Sequence, residues 1–311
     1  MNILITGLHG FVGRNLVAQL RPEHRIYGLA RTQVDMPGVE KIYTWDSLHN
    51  GSLPDVDAII HLAGKAHDTK NQAKAEVYFK VNRDLTIALY DYFVKSKAQK
   101  FIFFSTVKAV ADVLGTRVLT EEADAQPKGP YGESKREAEA YILEHPSPYK
   151  EVYVLRPCMM HGEGNKGNLN LLYKVVSKGV PWPLGAFSNS RSFASIDNVC
   201  LIVSDLLDKH IPSGVYNIAD DTPLSTNQLI GIICGVMGKK SRIWNMSPSM
   251  IRMLARMGDV LHLPLNTQRL AKLTESYVVS NNKIKQALGI DSLPVDSKAG
   301  LEKTIKSFRA Y

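Results

Sequence analysis

The first thirteen residues narrow the possible folds more than any other feature. Asn2-Ile-Leu-Ile-Thr6 reads as a short buried β-strand, and Gly7-Leu-His-Gly10-Phe11-Val12-Gly13 leads from it into a helix over Val12–Leu20. Gly7 permits a tight turn, Gly10 lets the backbone approach a bound group, and Gly13 lets helix and strand pack closely. The helix start, with Phe11 and Val12, then offers free N–H groups and a partial positive charge, an arrangement suited to a pyrophosphate.

The same strand–helix alternation continues. Strands are predicted at Asn2–Thr6, Arg25–Ala30, Lys41–Thr44, Ala58–Leu62, Lys100–Ser105 and Glu151–Leu155, most of them near-continuous apolar runs. Helices are predicted at Val12–Leu20, Asn82–Lys95 and Tyr131–Glu144. This pattern predicts an α/β fold with a doubly wound parallel sheet of the Rossmann kind. After Pro157 the chain changes character: a polar, glycine-rich loop from Gly162, a helix near Leu169–Ser177, a turn-rich stretch, one further strand from Gly214, then mostly helix. A nucleotide-binding domain over 1–157, with a returning segment near 193–220, and a smaller, mostly helical, discontinuous substrate domain within 158–311 are therefore expected.

The net charge is +8, from 38 Lys and Arg against 30 Asp and Glu. The basic residues are scattered, which favours a phosphorylated small ligand over nucleic acid. Cys158, Cys200 and Cys234 are far apart and form no Cys-x-x-Cys pair, so neither a disulfide framework nor a cysteine metal site is expected, and a reducing cytoplasm fits. The start has no signal-peptide character, and no apolar run has the ~18 residues of an integral membrane segment.

Three further stretches carry chemistry. Dinucleotide folds usually end their second strand in an acid that binds the adenosine ribose. Here Ala30 stands at that place and Arg31 follows, which favours NADP(H) over NAD, since an Arg can pair with a 2′-phosphate. In Tyr131-Gly-Glu-Ser-Lys135 the Tyr and Lys share one helix face. A tyrosine with a pKa near ~10 becomes a usable acid–base when a nearby ammonium stabilises its phenolate. Phe101-Ile-Phe-Phe-Ser105-Thr106 is an apolar strand that ends in hydroxyls at the edge where such sheets bind ligands.

The Gly-x-x-Gly-x-x-Gly spacing, the Thr-Gly-x-x-Gly-Phe-x-Gly start and the order of these motifs resemble the extended short-chain dehydrogenase/reductases, the NAD-dependent epimerase/dehydratase group. That resemblance implies Thr106, Tyr131 and Lys135 as the catalytic set, with Ser105 the alternative hydroxyl and a substrate contact. Thr106 precedes Tyr131 by the family's 25 residues. It implies NAD(P) held by Gly7, Gly10, Phe11, Val12, Gly13, Ala30, Arg31, Asp46, Lys135 and the Leu62-Ala63-Gly64 stretch. Asp46 matches the family's adenine-binding acid and equally suits a helix cap. His61 reads as a structural histidine, and Asn82 as the opening of the following helix.

On the substrate side, Asn168-Leu169 and Arg191 resemble the family's diphosphate-binding residues. Arg269 is the best candidate for the family's second, late arginine, and it equally suits a solvated helix charge. Met159, His161 and Glu163 depart from the family's Asn, Tyr and Pro. The implied ligand is a UDP-linked sugar, closest to the amino sugars of bacterial 4-epimerases and 4-ketoreductases. A non-catalytic NADP sensor and a reductase of a non-sugar ketone are the alternatives. A homodimer is also implied, with paired helices presenting Leu85, Leu89, Tyr92 and Phe93 and then Ala138, Tyr141 and Ile142.

Pro248–Leu265 mixes Met250, Ile251, Met253, Leu254, Met257, Val260 and Leu261 with Arg252 and Arg256. It is expected to cover a pocket or core, with peripheral membrane contact the lesser alternative.

Overall fold

The computed structural model describes residues 1–66, 74–114, 118–165, 167–261 and 265–308, and only the backbone of Asn168. In chain order it contains β1 (Asn2–Thr6), α1 (Phe11–Leu20), β2 (Arg25–Ala30), β3 (Lys41–Thr44), α2 (Asp46–His49), β4 (Ala58–His61), α3 (Ala75–Phe79), α4 (Leu85–Lys95), β5 (Lys100–Phe104), β6 (Val118–Leu119), α5 (Pro130–Glu144) and β7 (Glu151–Pro157). There follow β8 (Met159–His161), α6 (Asn168–Ser177), β9 (Phe193–Ser195), α7 (Ile196–Asp208), β10 (Gly214–Ile218), α8 (Thr226–Val236), α9 (Pro248–Leu261), α10 (Thr267–Thr274), β11 (Val278–Val279), α11 (Asn282–Leu288) and α12 (Ser297–Ser307).

Seven strands form one sheet in the order β10-β7-β5-β4-β1-β2-β3. Every neighbouring pair is parallel. The chain winds one way from β1 to β3 and the other way from β4 to β10. The order therefore reverses between β1 and β4, and their C-terminal ends flank the crevice where such sheets bind ligands.

The strands read as unbroken apolar runs because both sheet faces are covered. Ile3, Ile5, Ile60, Ile102 and Phe104 pack with Leu16 and Val17 of α1 and Val203 and Leu206 of α7. Leu4, Ile59, Phe101 and Phe103 point the other way, onto Leu89, Tyr90 and Phe93 of α4 and Ala138 and Ile142 of α5. This second packing corrects one expectation: Leu89, Phe93, Ala138 and Ile142, read as a dimer stripe, lie in the chain's own core. Of that stripe, Leu85, Tyr92 and Tyr141 remain half-buried.

A second correction concerns Asn82, which does not open a helix. α3 and α4 run on through one π-helical turn, Lys80–Asp84, and Asn82 lies buried inside it. Its side chain makes three hydrogen bonds away from the helix, a local demand of the kind that accompanies such turns.

Beyond the sheet, Leu169 of α6 packs with Leu229, Ile230 and Ile233 of α8 and Leu301 and Ile305 of α12. A small cluster of Leu184, Ile251, Ala255 and Leu270 seats α9 and α10. Only Ile251, Ala255 and Gly258 of α9 are buried. Met250, Met253, Leu254, Met257, Val260 and Leu261 are exposed, so α9 covers a core with one side only. The three cysteines are buried and unpaired. Among the described residues no helix is long and apolar enough to cross a membrane.

Candidate active site

The turn after β1 is built around absent side chains. Gly7 has φ +69°, and a Cβ there would lie 2.7 Å from the Ala63 amide nitrogen at the end of β4. A Cβ on Gly13 would lie 2.5 Å from the Gly7 carbonyl. The Gly10 amide donates to that same carbonyl at 3.0 Å. Helix α1 begins at Gly10 with no side-chain cap and no acid in its first turn, which leaves its N–H groups and partial charge for an anion. Gly10 is exposed, and Phe11 and Val12 are half-buried beside it.

A buried polar chain ties this turn to β4 and α4. Thr6 Oγ1 accepts from the amides of Leu62 (3.1 Å) and Ala63 (2.9 Å), so its own O–H donates to His61 Nδ1 at 2.7 Å. His61 Nε2–H then donates to Thr86 Oγ1 at 2.9 Å, and Thr86 donates to the Asn82 carbonyl at 2.7 Å. Burial, reinforced by the nearby Lys135 charge, holds the His61 pKa well below its ordinary value and keeps the ring neutral. His61 is a structural connector, as expected. Asn82 continues the chain: its Oδ1 accepts from the Lys65 amide (2.7 Å), and its Nδ2 donates to the Lys65 carbonyl (3.1 Å) and to Ser134 Oγ (3.0 Å).

Thr106, Tyr131 and Lys135 meet next to this network. Thr106 follows β5, is buried, and accepts from the Lys108 amide at 3.2 Å as it caps the single 3₁₀ turn Val107–Ala109. The side chains of Thr106 and Tyr131 are hydrogen-bonded to each other. Lys135 Nζ donates to the Phe104 carbonyl at 2.8 Å and lies 4.6 Å from the centre of the Phe103 ring. A Cβ on Gly64 would lie 3.2 Å from both Lys135 Nζ and Asn82 Oδ1, so that glycine leaves room for the cation. Ser105 Oγ is buried and makes no hydrogen bond among the described residues.

The charge states differ from the simple expectation. Burial lowers the Lys135 pKa to about 8, with Glu139 opposing the shift. The Tyr131 pKa is raised by burial, partly offset by the Thr106 hydrogen bond. Desolvation dominates at both groups, and the Lys135 ammonium does not pull the Tyr131 pKa below its ordinary value.

One contributor was missed from sequence. A Cβ on Gly132 would lie 2.5 Å from the Lys108 carbonyl, so only glycine lets the first turn of α5 close on the turn after Thr106. The signal was present, a glycine in the first turn of a helix beside Tyr131.

The remaining candidates are more dispersed. Ala30 and exposed Arg31 stand at the C-terminal end of β2. Asp46 is exposed in the first turn of α2, whose N-cap residue is Trp45. The Leu169 side chain is buried in the α6–α8–α12 core, which leaves its backbone for any ligand. The Asn168 side chain lies outside the described residues. Arg191 reaches the end of α10: its Nε donates to the Glu275 carbonyl at 3.0 Å and its Nη2 to the Lys272 carbonyl. Burial lowers its pKa, and Glu275 partly compensates. Arg269 is exposed on α10 itself.

Two of the three departures from the family pattern have a visible place. His161 is buried, with Nδ1 at 2.9 Å from Thr304 Oγ1 and Nε2 at 3.4 Å from Asp220 Oδ2, and ties β8 to α12. Met159 is exposed on β8. Nothing in the structure explains Glu163.

A parallel sheet with its crevice at the order reversal, a glycine cradle, and a Thr–Tyr–Lys group beside it define an NAD(P)-dependent enzyme of the short-chain dehydrogenase/reductase type. The model of the NAD dependent epimerase/dehydratase family matches residues 3–219, and the chain belongs to that family. It is 31% identical over 242 residues to a UDP-glucose 4-epimerase of Vibrio cholerae, covering 74% of each chain. It is 27% identical over 248 residues to N-acetyl-alpha-D-glucosaminyl-diphospho-ditrans,octacis-undecaprenol 4-epimerase of Escherichia coli O157:H7, covering 77% of this chain and 73% of the relative. The crystal structure of UDP-N-acetylglucosamine 4-epimerase from Bacillus cereus superposes with a TM-score of 0.77 at 21% identity, over 99% of both chains.

Proposed function

We propose that this enzyme transfers a hydride at carbon 4 of a UDP-linked amino sugar, as a 4-epimerase or a 4-ketoreductase. The observation that carries this reading is the hydrogen-bonded Thr106–Tyr131 pair, with Lys135 on the same face of α5, at the sheet edge beside the glycine cradle.

A dinucleotide fits the residues present, because the Gly7–Gly13 turn closes against the end of β4 only without side chains at Gly7 and Gly13, and α1 has no cap of its own, which leaves its N–H groups for a diphosphate. Gly7, Gly10, Phe11, Val12 and Gly13 would hold its diphosphate, Ala30, Arg31 and Asp46 its adenosine end, and Leu62, Ala63, Gly64 and Lys135 the part that runs toward the sugar. When bound, the nicotinamide supplies the hydride acceptor and donor. Arg31 without an acid at residue 30 supports NADP(H) over NAD.

Thr106 orients the substrate hydroxyl, and Tyr131 exchanges its proton. A protonated Tyr131 is ready to donate to a carbonyl oxygen at carbon 4. In the opposite direction the phenolate must form, and the Thr106 hydroxyl and the Lys135 ammonium stabilise it. Ser105, the backbone at Asn168 and Leu169, Arg191 and Arg269 are the substrate side of this proposal. Residues 1–157 with 193–220 would form the cofactor unit and the remainder the substrate unit, working in the cytoplasm as a homodimer. Light scattering tests the dimer, for which Leu85, Tyr92 and Tyr141 remain available.

A second reading places the sugar diphosphate on a polyprenol. It is supported by the name of the Escherichia coli relative and by the exposed apolar side of α9.

Incubation with UDP-N-acetylglucosamine, followed by NMR of the product, tests the epimerase. A 4-keto sugar with NADPH, followed by absorbance, tests the reductase. A carbon-4 epimer formed without net reductant, or a 4-hydroxyl formed with stoichiometric NADPH loss, supports the proposal. Tight NADP binding with no turnover of any keto-sugar leaves the sensor.

A further inference from the structure

Helix α9 has three sides. At 100° per residue, Ile251, Ala255 and Gly258 fall together on the side that faces Leu184 and Leu270. Gly258 is closely seated, since a Cβ there would collide with the Leu265 carbonyl. Met250, Met253, Leu254, Met257, Val260 and Leu261 fall on a separate, continuous arc of roughly 120°, and all six are exposed. Arg252, Arg256 and Asp259 occupy the third side. The helix is thus fixed on the molecule with an apolar stripe facing outward.

The charge around that stripe is mostly positive. Exposed Arg252 and Arg256 lie on α9, and exposed Arg269 and Lys272 on α10, which packs against it. Asp259 is the one acid among residues 248–274, and its Oδ1 accepts from the Thr267 amide at the start of α10. Two copies pressed together by this face would bring like charges together. A surface of anionic headgroups would neutralise them while the apolar side chains enter its acyl boundary. Methionine supplies half of the stripe, and its flexible thioether adapts to a disordered partner.

We propose that α9, flanked by the cations of α10, docks this enzyme in the plane of an anionic membrane surface. The proposal holds whether the sugar is carried on a nucleoside or a polyprenol. A membrane-bound enzyme with no lipid-linked substrate would satisfy it.

The test is flotation of the full chain with vesicles of phosphatidylcholine alone or mixed with equal phosphatidylglycerol. Mixed vesicles should bind at least about tenfold more protein, and binding should fall as salt rises from ~50 to ~500 mM. The M253E/M257E pair should lower binding by at least about tenfold, and Arg252→Gln with Arg256→Gln should flatten the salt dependence. As a check independent of that pair's folding, Met253→Cys carrying an environment-sensitive fluorophore should shift its emission on mixed vesicles, since the native cysteines are buried. Absence of vesicle binding, undiminished binding by M253E/M257E, or an unshifted label would overturn the proposal. So would a dimer mass by light scattering that M253E/M257E reduces to a monomer, which would assign the face to a second copy.

Discussion

The β5 edge and the α9–α10 corner both gather charged and reactive side chains, but they are built differently. At the β5 edge, Thr106, Tyr131 and Lys135 come from two elements that meet through local packing, with Gly132 letting α5 close on the turn after Thr106. Thr106 and Tyr131 are hydrogen-bonded, and Lys135 donates to the Phe104 carbonyl. At the corner, Arg191 reaches over eighty residues along the chain to two carbonyls at the end of α10. The first arrangement suits the proposed proton exchange. The second can hold the fold together, bind a diphosphate, or do both. Charge held by backbone carbonyls is therefore weaker evidence of function than convergence of a hydroxyl, a phenol and a cation at one sheet edge.

The largest expected effect tests the β5 edge. Tyr131→Phe should lower turnover ~10²–10⁴-fold with cofactor affinity nearly unchanged, because it removes proton exchange and little else. Near-normal turnover, measured with cofactor binding by fluorescence, would reduce this edge to a packing feature like the corner.

Lys135 offers a test that needs no substrate. Its pKa is about 8 in the fold against 10.5 ordinarily. Between those two values the unfolded chain binds more protons than the folded one, so stability rises with pH across that window. Below pH 8 the buried ammonium costs the fold about 3 kcal/mol, at 1.36 kcal/mol per unit. Urea unfolding from pH 7 to 10.5 should show this rise in the native chain and a flatter profile in Lys135→Met. The slope is the readout, because Lys135→Met also leaves the Phe104 carbonyl without its donor at every pH. Equal slopes would mean that the cation is not held in a desolvated position.

How much of this was legible in the sequence follows the same division. The sheet could be read because both of its faces are covered, so each strand is an apolar run between turns. The glycine cradle and Tyr-x-x-x-Lys could be read because their geometry lies within a few residues. Asn82 was misread as a helix start because its partners, Lys65 and Ser134, are 17 and 52 residues away, and the π-turn follows from those partners. The stripe on α4 and α5 was assigned to a dimer because a sequence shows that a face is apolar but not which surface covers it. The direction of the Tyr131 shift was likewise hidden, since it depends on burial supplied by the whole fold. Arg191 was found by its neighbours in the chain, while its engagement with α10 depends on a segment more than eighty residues later.

Arg191→Ala separates the two uses of the corner. If Arg191 binds the diphosphate, the KM for a nucleotide sugar should rise more than kcat falls, because the diphosphate is held alike in ground and transition states. Loss of two carbonyl contacts should also lower stability by about 1–3 kcal/mol. A lowered melting temperature with unchanged KM would make Arg191 a brace for α10 and remove it from the site.

The smallest effect concerns cofactor choice at the end of β2. The cradle at Gly7–Gly13 meets the diphosphate, which NAD and NADP share, so discrimination rests on Ala30 and Arg31. With alanine at residue 30 no carboxylate repels a 2′-phosphate, and Arg31 stands exposed one residue on. A charge-assisted contact there contributes about 1.5–3 kcal/mol, or roughly one to two orders of magnitude in affinity. Exposure of Arg31 to solvent puts the expectation at the lower end. Arg31→Ala should therefore erase most of an NADP(H) preference measured by titration at fixed salt, and Ala30→Asp should reverse it. The preference also bears on the reaction. An epimerase consumes no net reductant and gains nothing from NADPH, whereas a reductase draws on it at each turnover. NADPH preference with exchangeable binding would favour the ketoreductase. Stoichiometric NAD⁺ in the purified protein, with no response to Arg31→Ala, would overturn the NADP assignment and favour the epimerase.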